Sequence, residues 1–491
     1  MGNPQPLAGR VRLILRATGC FGFSSAANTP DQMPLESHAT DELRAVTERR
    51  QDGHALRKVL PRSQHANWQP PTGRRDPVHI IQETGLHRIP SLLPIRYGRM
   101  RASPFAFLRG AAAIMAADLA AIPSSGIRVQ ACGDCHLANF GTYSSPEGTP
   151  VFDVNDFDET LPAPFEWDLK RLAASFAVDA RSRGMSDKAA QLLARTVVTA
   201  YRIHMADLVR LGPLRAWSSR IDVAEALATI EDTRIRDREE RRVEAILDAT
   251  TRRNWPKLIE RRDGGWRIRE RPPLVFPLGT RADDTHEMAA RTAFGSYRRT
   301  LPEERRILLD RFRLEDVAFK VVGVGSVGTF CAIGLFANRD GDTLLLQIKE
   351  AQTSVLAPYA GPSAYHNQGQ RVVVGQRIMQ AVSDIFLGWT QDPGDDRHCY
   401  VRQLKDSHLA LVGTDIAEGA LGAHALLCGR TLARAHARSG DAAQIAGYMG
   451  SGTVMDGAIA DFAMSYADQT ERDWRVFEAA IAGGQIQAAE A

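Results

Sequence analysis

At 491 residues, with 44% apolar and 24% charged side chains, the chain is long enough for two or more lobes, because single cores rarely grow beyond roughly 250–300 residues. A net charge of +3 excludes the strong basic field of a nucleic-acid binder, and no apolar run approaches the ~20 residues that span a bilayer, so no membrane partner is expected. Six cysteines in so long a chain form no disulfide framework and read as reduced thiols of a cytoplasmic protein.

Arginine dominates the bases: only seven of the 61 Lys and Arg residues are lysine, which makes each lysine worth inspecting. Near the start, Ala17-Thr18-Gly19-Cys20 follows the apolar run Val11 to Leu15, but Arg16 interrupts it and the run is too short for an export signal. Pro6 stands where a myristoylation motif at Gly2 wants Ser or Thr. Residues 1–75 are rich in Pro, Ser, Gly, Arg and His without apolar period and read as a poorly ordered tail.

The folded unit is expected from about residue 76. Phe105, Phe107, Leu108, Ile114, Met115 and Leu119 recur at helical spacing behind an N-cap at Ser103 and Pro104 at the first helical position, which predicts a helix over 104–119. Gly126 to Tyr143 reads as strand, loop and strand, and Val151 to Asp156 returns after the turn at 144–148. Helices are expected over 167–180, 188–209 and much of 221–260, with Arg234 to Arg242 a solvated face. From Leu314 the pattern turns to antiparallel β: Val317, Phe319 and Val321, then Phe330 to Phe336, an Asp340-Gly341 turn and Leu344 to Ile348. A helix over 370–389, a strand over 400–404 and a long helix over 419–438 follow.

Phosphoryl transfer asks a protein for a carboxylate near the attacking hydroxyl and for oxygen ligands that hold magnesium on the phosphates. Gly133-Asp134-x-His136-x-x-Asn139 offers a carboxylate and an amide across a tight loop, with His136 bracing the loop. Phe152-Asp153-Val154-Asn155-Asp156-Phe157-Asp158-Glu159 follows as a strand end dense in acids interleaved with apolar residues. Partly buried acids of this kind call for a metal or a cation; the plainer alternative is an acidic surface turn.

These residues, with Pro164-x-x-x-Asp168-Leu169, resemble the catalytic segment of aminoglycoside and choline phosphotransferases, which have the protein-kinase fold. The likeness covers about fifty residues. Across most of the chain, with Ser103-Pro104-Phe105-Ala106-Phe107-Leu108-Arg109-Gly110 and Glu166-Trp167-Asp168-Leu169-Lys170-Arg171-Leu172, the sequence resembles the uncharacterised bacterial family named domain of unknown function 2252. The phosphotransferase resemblance implies Asp134 as catalytic base, Asn139 as a metal ligand and Asp156 as the second, with Asp153 and Asp158 competing for that place. It also implies Asp168 as a brace for the catalytic loop. The match departs at Cys132, where such enzymes usually have His.

A kinase also needs a glycine-rich loop over the phosphates and a lysine to neutralise them. Gly323-x-Gly325-Ser326-x-Gly328 and Lys349 provide both, and the β-hairpin context separates this loop from a dinucleotide-binding turn, where a helix would open at the third glycine. The lysine's usual glutamate partner is not evident. The order is inverted relative to an ordinary kinase, because loop and lysine follow the catalytic loop. The helix Cys428 to Ala437 resembles the one that normally leads into that loop, so a circular permutation restores the order.

The expected fold is therefore α+β: a two-lobe, protein-kinase-like fold, circularly permuted. Residues 76–313 would form a helical lobe with the catalytic and metal loops, 314–405 an antiparallel β lobe, and 406–491 helices completing the helical lobe. The expected function is ATP-dependent phosphorylation, with Mg2+, of a hydroxyl on a small-molecule acceptor; the alternative is a pseudokinase-like binding protein without transfer activity. Cys132-x-x-Cys135-His136 also matches a haem-attachment pattern, but haem attachment needs export and the same residues are already explained. Zinc would need a further ligand pair at suitable spacing, and Cys331, Cys399 and Cys428 stand alone.

Overall fold

The computed structural model describes residues 44–490 apart from Gly148, Asp222, 253–257, Pro273, 279–284, Val322, Val324, Ser326, 392–395 and 405–415. Amphipathic periodicity builds the helical body. The helix expected from Trp167 runs Phe165–Ser182, the one expected from Lys188 runs Asp187–Leu211 behind a Ser186 cap, and Leu421–Ala437 and Val454–Ala482 pack against them from the other end of the chain. Helix Leu421–Ala437 meets Asp187–Leu211 closely because it carries glycine at the crossing: a Cβ on Gly429 would stand 2.3 Å from the carbonyl oxygen of Val197. Ser103 caps as expected, accepting from Ala106 N at 3.0 Å. The predicted single helix over 104–119 is instead two, Pro104–Gly110 and Ala112–Ala120, broken at Ala111 (φ −118°, ψ 32°).

Residues 44–75 are part of the fold rather than of a tail. Helix Val46–Ala55 lies on Ala442–Met449, and Arg57 and Arg62 donate to the carbonyls of Tyr448 (2.8 Å) and Met449 (2.5 Å) at that helix's end. Arg74 bridges the carboxylates of Asp118 and Asp473. Such anchoring uses arginines and carbonyls, so it leaves no apolar period to detect. Residues 1–43 lie outside the described residues.

Twelve strands are described. β1 (Arg128–Ala131) pairs with β4 (Leu161–Pro164), and β2 (Phe140–Ser144) with β3 (Pro150–Val154), all antiparallel, so the segment between residues 128 and 164 is held as two nested ribbons. A hairpin, β5 (Ile259–Arg262) and β6 (Gly265–Ile268), stands where the end of a helical region was expected. The main sheet has the order β11-β12-β10-β9-β8-β7, with β7 Val275–Pro277, β8 Arg313–Lys320, β9 Cys331–Ala337, β10 Thr343–Glu350, β11 Gly388–Gln391 and β12 His398–Gln403. It thus begins before the expected boundary at 314, and the Asp340-Gly341 turn joins β9 to β10 as read.

The helix predicted over 370–389 spans only Gln368–Met379, capped by Asn367, and Gly388–Gln391 is an edge strand. There the tertiary setting overrides propensity: Thr300 Oγ1 sits 3.0 Å from Trp389 N and 2.8 Å from Trp389 O. The architecture is mixed α+β. Helical body and sheet keep separate apolar clusters, centred on residues such as Leu172, Val197 and Leu432 in one and Phe319, Ile348 and Val401 in the other.

The tightness of the Gly429 crossing gives a stability test. Gly429→Ala adds one methyl where a carbonyl already stands, and overpacking of this kind costs about 1–3 kcal/mol; urea unfolding should show a lower midpoint with an unchanged slope.

Candidate active site

The loop Cys132–Asn139 leaves β1, and Gly133 makes its turn possible: its φ is +84°, and a Cβ there would lie 2.3 Å from the Glu159 carbonyl oxygen. Helix Phe165–Ser182 braces this loop along one face. Asp168 accepts from Cys132 N (2.7 Å) and Gly133 N (3.1 Å), Arg171 holds Asp134, and Ser175 Oγ accepts from Leu137 N (2.9 Å). These positions, 168, 171 and 175, are neighbours on one helical face. From the C-terminal side His436 Nε2 reaches Asp168 Oδ2 at 3.2 Å. The bracing expected of Asp168 is therefore present, with an imidazole supplied by a helix 268 residues away.

Asp134 faces the seam between helical body and sheet. Its Oδ1 accepts from Arg171 Nε at 2.7 Å and from Arg171 Nη2, and His136 Nε2 lies 3.7 Å from Oδ2. Burial pushes the Asp134 carboxyl above its usual value, with Arg171 opposing. Burial, and next the charges of Arg109 and Arg171, hold His136 well below its usual value, so it stands neutral beside the carboxylate. Asn139 Nδ2 donates to the Asp134 carbonyl at 2.6 Å, and this turns its Oδ1 away from that contact.

The acids after β3 divide by what they touch. Asp153 is fully enclosed: Arg434 and Val154 N donate to Oδ1 and Ala381 N to Oδ2, and neither Asp153 nor Arg434 exposes any side-chain surface. Both oxygens of Asp153 are thus already taken by protein donors. Asp158 Oδ2 takes the Lys349 ammonium and its Oδ1 the Tyr400 hydroxyl at 2.7 Å. Asp158 is thus the carboxylate partner of the lysine for which no glutamate was evident. Asp156 keeps 36% of its side chain open and lies 3.8 Å from Lys349 Nζ, with protein on most sides and one open face.

Burial pushes the Asp156 carboxyl up, and the neighbouring Asp158 adds to this. Asp158 itself is held below its usual range, because Lys349 outweighs the burial that would raise it. For Lys349 burial alone would lower the ammonium, yet Asp156 and Asp158 hold it above its usual value.

Lys349 comes from β10, where its Cα pairs with Cys331 on β9 and Tyr400 on β12. The glycine loop stands between β8 and β9. No helix opens at Gly328; β9 begins at Cys331 and runs antiparallel to β8, as the hairpin reading expects. A Cβ on Gly325 would sit 3.6 Å from the Arg109 carbonyl oxygen and 4.0 Å from Asp134 Oδ2. Gly328 rests on Arg88, whose Nη1 donates to Val327 O at 2.6 Å, while the point above Gly323 is open. Ser326 lies outside the described residues. The structure therefore brings Asp134, Asn139, Asp156, Asp158, Gly325 and Lys349 to one seam, with Gly323 and Gly328 on the same loop.

Sequence reasoning missed Arg171, Arg109, Tyr400 and Arg402. Arg402 donates to Asn155 O at 3.2 Å, and it shares a sheet face with Tyr400 and Lys349. A period of two in β12 was the available signal for Tyr400 and Arg402, and a spacing of three from Asp168 was the signal for Arg171. Both were hidden by the abundance of arginine.

Other clusters fit less well. The thiols of Cys132 and Cys135 and the Asp168 carboxylate lie within 4.8 Å of one another, but that carboxylate is occupied by two amides and His436, and burial pushes the Cys135 thiol up to about 11. Metal binding wants thiolates. The five cysteines among the described residues are buried and form no disulfide with one another. A cavity of about 620 Å³ is lined by residues such as Arg267, Arg269 and Asp316, and none of the seam's carboxylates is among its lining. Among the described residues no helix is long and apolar enough to cross a membrane.

The division of the acids is testable by stability alone. Asp153→Ala strands the fully buried Arg434, a loss of about 3–5 kcal/mol, whereas Asp156→Ala removes a partly open carboxylate and leaves Lys349 its closer partner Asp158, so its cost should be smaller, about 1 kcal/mol. A reversed order in chemical denaturation would return Asp153 to the candidate ligands.

With this geometry in view, the family model described as an uncharacterized protein conserved in bacteria (DUF2252) matches residues 88–480. No curated protein and no solved structure matches the chain.

Proposed function

The chain belongs to this bacterial family, DUF2252, and from the chemistry of its seam we propose that it is an ATP-dependent phosphotransferase acting on a hydroxyl of a small-molecule acceptor. The observation that carries the reading is the convergence of separate parts: Lys349 meets Asp158 and Asp156, while a Cβ added to Gly325 of the glycine loop would stand 4.0 Å from Asp134 Oδ2. A lysine on a central strand, a glycine loop joining two strands and a loop carboxylate with an amide five residues on are parts that kinase-type phosphoryl transfer uses.

In this reading Lys349 and the glycine loop hold the nucleotide phosphates. Asn139 Oδ1 and the Asp156 carboxylate fit Mg2+, because both are oxygen donors suited to a hard cation and both keep an open oxygen where Asp153 and Asp168 do not. When bound, the ion compensates phosphate charge. Asp134 sits where an acceptor hydroxyl would approach: the acceptor oxygen bonds to the γ-phosphorus, the bond from that phosphorus to the bridging oxygen breaks with its electron pair leaving on ADP, and the hydroxyl proton passes to Asp134. A raised carboxyl pKa favours that last step.

The protein-kinase-like, circularly permuted form of the fold is part of the same proposal. Its support is the C-terminal helix Leu421–Ala437, which delivers Arg434 to Asp153 and His436 to Asp168 and so abuts the catalytic loop as the preceding helix does in a phosphotransferase. A cytoplasmic place fits the reduced cysteines. One observation favours the second reading, a nucleotide-binding pseudokinase: Arg171 grips Asp134 through two nitrogens, and a base so held needs release before it can accept a proton.

Variants separate these roles. Asp134→Asn should keep Mg-ATP binding and lower phosphate transfer, or slow ATP hydrolysis in the absence of acceptor, by ~10²–10⁴. Lys349→Ala and Asp156→Ala should weaken nucleotide binding itself, read by calorimetric titration. Hydrolysis by Asp134→Asn at the parent rate would remove Asp134 as the base, and nucleotide binding with no hydrolysis in the parent would favour the pseudokinase.

A further inference from the structure

Arg109 stands in the last turn of the helix Pro104–Gly110, at the point where three parts of the seam meet. Its carbonyl oxygen is 3.6 Å from the position a Gly325 Cβ would take, and that position is 4.0 Å from Asp134 Oδ2. The helix end is pinned there, because Arg171 Nη2 donates to Leu108 O at 3.0 Å while its Nε holds Asp134. The Arg109 guanidinium has no such polar anchor and lies over the Phe105 ring, 6.0 Å from its centroid. Its Nε is buried without a hydrogen-bond partner, and among the described residues it forms no ion pair within 4.0 Å.

The acids around it are already served. Arg171 holds Asp134, Lys349 holds Asp158 and lies beside Asp156, and Arg183 holds Asp179 at 2.7 Å. After burial, the groups that most affect the Arg109 guanidinium are Asp134 and Asp156, in that order. It therefore lies within Coulombic range of the proposed base and the proposed metal ligand and is ion-paired with neither. Asp134, Asp156 and Asp158 stand among Arg109, Arg171, Lys349 and Arg402, and Arg171 and Lys349 are the cations ion-paired with them. A guanidinium keeps its charge when buried and offers a planar fork of donors, which matches phosphate oxygens better than a lone carboxylate at this range.

We propose that Arg109 holds the terminal phosphoryl group of the nucleotide, from the acceptor side and opposite Lys349. This rests on the phosphotransferase reading and adds the group that follows the phosphorus as it moves from the bridging oxygen of the departing ADP to the acceptor oxygen.

The test compares two nucleotides that differ in that group. Mg-ADP and the non-hydrolysable Mg-AMP-PNP are titrated into the full chain as wild type, Arg109→Gln and Arg109→Lys, with thermal unfolding to confirm that each variant is folded. Wild type should prefer AMP-PNP. Arg109→Gln should lose about 10- to 100-fold in AMP-PNP affinity, the scale of a charge-assisted hydrogen bond, with ADP affinity unchanged. Arg109→Lys keeps the charge without the fork and should fall between the two. An unchanged AMP-PNP to ADP preference in either folded variant, or an equal loss for both nucleotides, overturns the assignment of Arg109 alone. A wild-type protein that binds neither nucleotide overturns the phosphotransferase reading and this assignment with it.

Discussion

Lys349 is buried to all but 4% of its side chain, and it is paired with a carboxylate, Asp158, that stands 191 residues earlier in the chain. An unpaired ammonium at that depth would be prohibitively costly or would lose its proton. The sheet must therefore sit over the Asp156–Asp158 loop, and the same constraint sets the rest of the seam. Tyr400 and Arg402 arrive beside the lysine on the next strand, and the glycine loop, one strand away on the other side, reaches Asp134. Such a pair adds less net stability than its short contact implies, because desolvation takes back much of the attraction. What it specifies is a register between sheet and helical body, with one open face left at Asp156.

The acids of this protein fall into two kinds by the state of their oxygens. Asp153 with Arg434, Asp456 with Arg202, and Asp168 with two amides and His436 are saturated and buried, and they knit C-terminal helices to elements from the middle of the chain. Asp134, Asn139 and Asp156 each keep an oxygen facing the seam. A residue that has spent its lone pairs on structure cannot also hold a metal or a proton in transit. That separates the roles within Asp153-Val154-Asn155-Asp156-Phe157-Asp158, where residue type alone leaves three equivalent candidates.

The local parts were legible in the sequence because each has a local cause. Ser103 and Pro104 mark a helix start, Asp340-Gly341 marks a hairpin, and the Gly133-Asp134 loop announces itself by residues with no role in an apolar pattern. What could not be read depends on distant partners. Arg57, Arg62 and Arg74 tie residues 44–75 to helix ends and acids some 400 residues away, and nothing in that segment distinguishes them from the arginines of a tail. Gly388–Gln391 becomes a strand only because Thr300 and β12 are there to pair with it. Asp158 as the partner of Lys349 was invisible for the same reason: the carboxylate comes from across the seam.

An experimental structure of the protein with Mg-AMP-PNP tests the central claim most directly. A phosphotransferase seam predicts the triphosphate under the Gly323–Gly328 loop, Mg2+ coordinated by Asn139 and Asp156, and the Lys349 ammonium turned from Asp158 toward the phosphates. Nucleotide bound elsewhere on the molecule, or a seam that stays closed with the Lys349–Asp158 pair intact at saturating nucleotide, would contradict it.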